Sequence, residues 1–170
     1  MAQPGNTARI IWLNGGRMIG KTRFQKSTYF LEALGIGFGF EFAYHHYGPY
    51  SEELASLSED ARALQFLDIE FHRSQDGPEY AIFVAKGENI EGDQNRNLDS
   101  LREAALQILK KYTAVELELA ATADFLEKIG FGDRAWSETG RRKALKASND
   151  RIARAKQLLQ ELSTIRSVAH

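Results

Sequence analysis

The sequence predicts a mainly helical α+β chain. A winged-helix-like N-terminal domain is expected over residues 7–86, a polar linker or loop over 87–97, and a C-terminal helical part over 98–165. Three observations carry this reading. The first half orders as helix, helix, helix and two-stranded hairpin, which is the winged helix-turn-helix order. The run GENIEGDQNRN is polar and rich in turn formers. The segments after it place apolar residues at helical spacing.

The first helix is expected over residues 7–14, with Gly15 and Gly16 as its stop. The second, over 22–34, carries Phe24, Thr28, Leu31 and Ala33 or Leu34 on one face and ends at Gly35. Residues 38–47 (FGFEFAYHHY) are aromatic and loosely alternating, so a strand with Phe40, Phe42 and Tyr44 on one side is expected, broken by Gly48-Pro49. Ser51 then caps a third helix over 51–66. Glu52 and Glu53 sit in its first turn, where the helix dipole favours them, and Leu54, Leu57, Ala61 and Leu64 face inward. A hairpin follows, with strands at 67–73 and 79–85. One feature departs from a DNA-reading unit: about fifteen residues join the second and third helices, where such units use three or four.

In the second half, 98–111 carries Leu101, Ala105, Ile108 and Tyr112 on one stripe. Thr113 and Glu116 form a capping-box pattern that opens a helix over 114–129, with Val115, Leu119, Thr122, Leu126 and Ile129 as its inner face, closed by Gly130-Phe131-Gly132. A last helix over 141–163 places Leu145, Ile152 and Leu159 seven residues apart, with Ala155 and Leu162 between.

The chain has no Cys, which removes disulfides, thiolate nucleophiles and cysteine zinc sites. The first residues lack a signal-peptide pattern and no apolar run reaches membrane-spanning length, so a cytoplasmic protein with no membrane partner is expected. Formal net charge is -1, unevenly spread: residues 9–26 hold five basic residues and no acidic one, and residues 134–166 hold nine basic against three acidic. Between them the third helix is acidic. No nucleophile elbow surrounds any Ser, and His45, His46 and His72 have no metal-ligand spacing, so neither catalysis, a metal nor a cofactor is expected.

Residues 15–22 (GGRMIGKT) satisfy the phosphate-loop pattern. That pattern needs a buried parallel strand before the glycines. Residues 8–13 read equally as the end of a helix, and nucleotide binding is the weakest of three readings. The strongest is a protein-interaction surface at the strand-to-helix junction, where Tyr44, His46, Tyr47 and Tyr50 offer rings with polar tips. The alternative is nucleic-acid binding to the phosphate backbone through Arg17, Lys21, Arg23 and Lys26 together with Arg142, Arg151 and Arg154 of the last helix.

Two segments, GKTRFQKSTYFLEALGI and FEFAYHHYGPYSEELA, resemble the YwgA-like family and the related Panacea-domain antitoxins. The matching residues are Gly20, Lys21, Thr22, Arg23, Gln25, Lys26, Tyr44, Tyr47, Gly48, Pro49, Tyr50 and Ser51. The tail also looks like the YwgA-like pattern, with LELAATADFL followed by Trp136 and a final helix after basic residues. The resemblance covers roughly residues 8–165. It implies a winged-helix-like domain whose second helix is opened by Gly20 and Lys21. It also implies a non-enzymatic partner-binding role in bacteria, antitoxin-like or regulatory, in a defence or mobile-element system. The long C-terminal part is closer to the YwgA-like branch.

Overall fold

The computed structural model describes residues 1–87 and 96–169, with side chains through Arg166. Most of the expected loop 87–97 lies outside the described residues. The chain is mainly helical, with seven α-helices and two small sheets among the described residues.

Helix α1 (Pro4–Leu13) starts earlier than the apolar pattern suggests. Pro4 occupies a first-turn position where its missing N–H costs nothing, and Asn6 accepts from the Gln3 N–H at 2.8 Å. Gly15 and Gly16 then both adopt positive φ (93° and 89°), a reversal that side chains resist. They aim the chain into β1 (Arg17–Ile19), which no sequence signal had separated from the turn. Strand β1 pairs antiparallel with β5, and Gly20 leads into α2 (Lys21–Ala33). Helix α2 is buried over most of its circumference rather than along one stripe: Gln25, Lys26, Ser27 and Thr28 are as enclosed as Phe24, Phe30 and Leu31.

The strand expected over 38–47 is mostly absent. Glu32 accepts the backbone N–H groups of Phe38, Gly39 and Phe40 at 2.8, 2.9 and 3.0 Å, so the chain wraps a carboxylate and those donors are lost to any ladder. Only β2 (Ala43–His45) is extended. It pairs with β3 (Gly48–Tyr50) in the register Ala43↔Tyr50 and His45↔Gly48, leaving His46-Tyr47 as the two-residue turn. Gly48-Pro49 thus belongs to a hairpin and does not end a strand. Ser51 caps α3 (Glu52–Ala63) as expected, its Oγ accepting from the Leu54 N–H at 3.0 Å. Strands β4 (Leu67–Arg73) and β5 (Glu79–Ala85) form the expected hairpin, and the larger sheet runs β1-β5-β4.

After the polar segment come α4 (Asp99–Leu109) and α5 (Ala114–Leu126). The capping box on α5 is formed, with Glu116 N–H to Thr113 Oγ1 at 3.2 Å and Thr113 N–H to Glu116 Oε1 at 3.0 Å. The alanines at 120, 121 and 123 are buried alongside Leu117, Leu119 and Leu126, and this slim profile lets α2, α6, α7 and β3 all close on α5. Ile129, expected inward, is exposed within a π-helical turn, Glu127–Phe131, in which Gly130 has φ 119°.

The single last helix is two. Helix α6 (Ala135–Arg142) stops where Lys143 turns inward, and α7 (Asn149–Ala169) restarts after a turn over 143–148. Leu145, assigned to the seven-residue seam, is fully exposed on that turn, whereas Ala155 and Leu162 are buried as expected, joined by Leu158 and Ile165. Apolar residues from both halves of the chain join one core, from Ala8 through Phe30, Leu54 and Phe83 to Leu117 and Leu158.

Candidate interaction surface

The β2–β3 hairpin is held from below by side chains that read its backbone. Gln25 on α2 makes a two-way bond to Ser51: its Oε1 accepts from the Ser51 N–H at 2.8 Å and its Nε2 donates to the Ser51 carbonyl at 2.9 Å. One residue on, Lys26 donates from Nζ to the Pro49 carbonyl at 2.8 Å. Gly48 (φ 87°) presses on α5 so closely that a Cβ there would lie 2.4 Å from Thr122 Oγ1. From the far side, Lys143 donates to the His46 carbonyl at 2.6 Å.

These ammonium groups share one carboxylate. Glu118 on α5 is buried, with Lys146 Nζ at 2.8 Å and Lys143 Nζ at 3.4 Å. Three cations around one anion leave an excess of positive charge beneath the hairpin. Burial is the main cause that pulls the Lys26 ammonium down to a pKa of about 8. Glu118 opposes that fall, and Lys143 and Lys146 add to it.

Above this support the aromatic residues divide into two roles. Tyr47 stands at the turn, 62% exposed, with the Lys146 and Lys143 ammonium groups 5.0 and 5.8 Å from its ring centroid. His46 is exposed beside it. Tyr44 is half-buried against Phe125 and lies 4.8 Å from the Arg142 guanidinium, which also faces Phe131 at 5.3 Å and bonds Glu138 at 2.7 Å. The hydrogen bonds from Arg141 and Arg142 hold the Glu138 carboxyl at a pKa of about 2. Tyr50, grouped by sequence with the others, turns to the opposite side: His45 packs on its ring, and it lines a cavity between α2, α3 and the sheet.

The basic residues expected to meet phosphates are dispersed by the fold. Lys26 is 1% exposed, because a hydrophobic helix face carries it into the core, and it cannot reach a polyanion. Arg23 and Arg154 both point at the C-terminal end of α4. Arg23 donates to the carbonyls of Leu109 (3.1 Å) and Tyr112 (2.6 Å), and Arg154 donates to that of Lys111 (2.9 Å). Cations there satisfy the orphan carbonyls and the helix dipole. The two basic regions thus meet, but in structural work and not as an open patch. Arg17 and Lys21 stay exposed near β1, and Arg151 is exposed on α7, bonding the Lys146 carbonyl at 3.1 Å.

The phosphate-loop pattern has no matching geometry. Residues 8–13 are helical, and Arg17–Ile19 within the pattern are an antiparallel edge strand. Glu118 and Thr122, central to the hairpin's support, were not singled out by sequence as site residues. The signal was present as a carboxylate repeated within the apolar run VELELAATA. Comparison with protein-family models, curated proteins and solved structures returns no match.

Proposed function

We propose that the chain is a non-catalytic protein-interaction module that presents the β2–β3 turn to a protein partner. The observation that carries this reading is Tyr47: a large ring left in solvent at the tip of a hairpin whose backbone is clamped by Gln25, Lys26 and Lys143. A rigid, exposed aromatic rimmed by cations has the make-up of a binding hot spot, since little side-chain and loop freedom is lost on association. Lys146, Arg141 and Arg142 favour an acidic partner surface. Resemblance to the YwgA-like and Panacea-domain families supports an antitoxin-like or regulatory role in a bacterial defence or mobile-element system. A winged-helix-like arrangement of residues 4–85 is part of the proposal. Its support is the element order α1-β1-α2-α3-β4-β5 and the strand order β1-β5-β4, with the β2–β3 hairpin inserted ahead of α3.

The test is a photo-crosslinking residue placed at Tyr47 in cells of the source organism, with the same residue at His72 as control. A discrete protein adduct at position 47, absent from position 72 and reduced by Lys146→Ala, is the expected result. Equal adducts at both positions, or none with folded protein, defeats the reading.

DNA binding is the second reading, favoured by the strand and helix order. Against it, Glu52, Glu59 and Asp60 are exposed on α3, the element that would enter the groove, and phosphates repel them. Duplex binding across a salt series decides: a steep salt dependence reduced by Arg17→Ala with Lys21→Ala supports DNA, and no association at low salt removes it.

A further inference from the structure

The two motif segments converge a second time, away from the Tyr47 turn, on a cavity of about 180 Å³. Its floor is apolar: Phe24, Leu54 and Phe83 are buried there, with Ile69 half-buried beside them. An apolar cavity of about 150 Å³ is large enough for a benzene ring. This one is open, so a ring can sit on the floor with a polar substituent at the rim.

The polar groups around it are unequally free. Gln25 spends both ends of its amide on Ser51, and the Ser58 hydroxyl donates to the Ala55 carbonyl at 2.8 Å. Glu59, on the rim, is paired with Arg62 at 3.2 Å. Two donors are left. The Lys21 ammonium is exposed and has only the Phe71 ring at 5.6 Å as a partner among the described residues. The half-buried Tyr50 hydroxyl has no hydrogen-bond acceptor among them. Within the two segments, Gln25, Lys26, Gly48, Pro49 and Ser51 hold the hairpin, whereas the Lys21 ammonium and the Tyr50 hydroxyl make no hydrogen bond to it, and both residues line the same cavity.

We infer that this cavity is a binding site for a small apolar carboxylic acid, its ring or branched tail on the Phe24, Leu54 and Phe83 floor and its carboxylate between Lys21 and the Tyr50 hydroxyl. Burying the tail supplies the affinity, and the ammonium with the hydroxyl selects the head group. A monoanion fits better than a phosphate or nucleotide. The volume is too small for a nucleoside, and Glu52 and Glu59 nearby oppose a second negative charge. The site is independent of the partner-binding reading.

The test is titration of the full chain with benzoate, benzamide and benzyl alcohol, followed by amide and methyl NMR shifts. Benzoate is expected to saturate with a Kd at or below about 1 mM, with benzamide and benzyl alcohol roughly tenfold weaker. The shifts should centre on Leu54, Ile69 and Phe83. Lys21→Gln should remove the preference for benzoate while retaining weak binding of the neutral compounds, and Ala55→Phe, which fills the cavity, should remove all three. Shift mapping in the unaltered chain stands even if Ala55→Phe fails to fold. No saturation by about 20 mM benzoate, equal affinity for the neutral compounds, or shifts centred elsewhere overturns the assignment.

Discussion

The Gln25 side-chain amide bonds both backbone groups of Ser51, accepting at 2.8 Å and donating at 2.9 Å, in a site closed to water. It joins α2 to the residue that caps α3, so one side chain fixes the exit of the β2–β3 hairpin and the start of the next helix.

Gln25→Ala leaves the buried Ser51 N–H without an acceptor and its carbonyl with only the Ala55 N–H, at 3.3 Å. Such an orphan costs about 1–3 kcal/mol and the second lost bond about 1 kcal/mol more, so a loss of roughly 2–4 kcal/mol is expected in urea denaturation. Gln25→Glu should also destabilise, because a carboxylate accepts from the N–H but cannot donate to the carbonyl.

Tyr47→Ala should change stability by no more than about 0.5 kcal/mol, since the ring is mostly in solvent and its neighbours, the Lys143 and Lys146 ammonium groups, keep their own bonds to His46 and Glu118. Partner binding should fall by at least tenfold, or about 1.4 kcal/mol, if Tyr47 is the anchor. Thermal unfolding beside a binding assay separates the two effects. A large loss of stability would show the ring to be architectural.

Gly48→Ala meets both a positive φ and the Thr122 hydroxyl. A loss of roughly 2 kcal/mol or more is expected, combining backbone strain with overpacking. Thr122→Ala should restore part of it, and the non-additivity of the double mutant measures the contact.

Lys26 gives stability a defined pH dependence. Its folded pKa, about 8, lies below the ordinary lysine value of 10.5. Below pH 8 both states carry the charge, and the folded chain bears the cost of its burial. Between about 8 and 10.5 the folded chain releases the proton first, so the unfolded state binds more protons and stability rises with pH. A gain of about 1–2 kcal/mol is expected between roughly pH 7.5 and 9.5, and Lys26→Met should flatten it. Above pH 10 the trend reverses. Burial and Glu161 raise the Tyr112 hydroxyl to about 12, so the unfolded chain loses that proton first.

Elements whose ends are written in local chemistry were legible in the sequence. The Ser51 cap, the Thr113–Glu116 capping box and the 67–85 hairpin lie where spacing and turn residues put them. What failed was decided at long range. Residues 38–42 have strand composition, but Glu32 takes the N–H groups of Phe38, Gly39 and Phe40, and no periodicity announces that. Leu145 matched a seven-residue repeat that the turn at 143–148 interrupts, and that turn accompanies Lys143 reaching a carbonyl 97 residues away. For the candidate surface, composition found the tyrosines. It could not separate Tyr47, which faces solvent, from Tyr50, which faces a cavity, nor see that Lys26 is swallowed by the core.

The span between Lys143 and His46 bears on when the surface can exist during synthesis. A ribosome makes the β2–β3 hairpin long before it makes α5, which receives Gly48, or Lys143, which holds the turn from its far side. A nascent chain carrying only the first half has the tyrosines but not the floor and latch that fix them. On the proposed reading, competence to bind through Tyr47 therefore arrives late, and a chain stalled or cut before Lys143 would not compete with finished molecules for a partner.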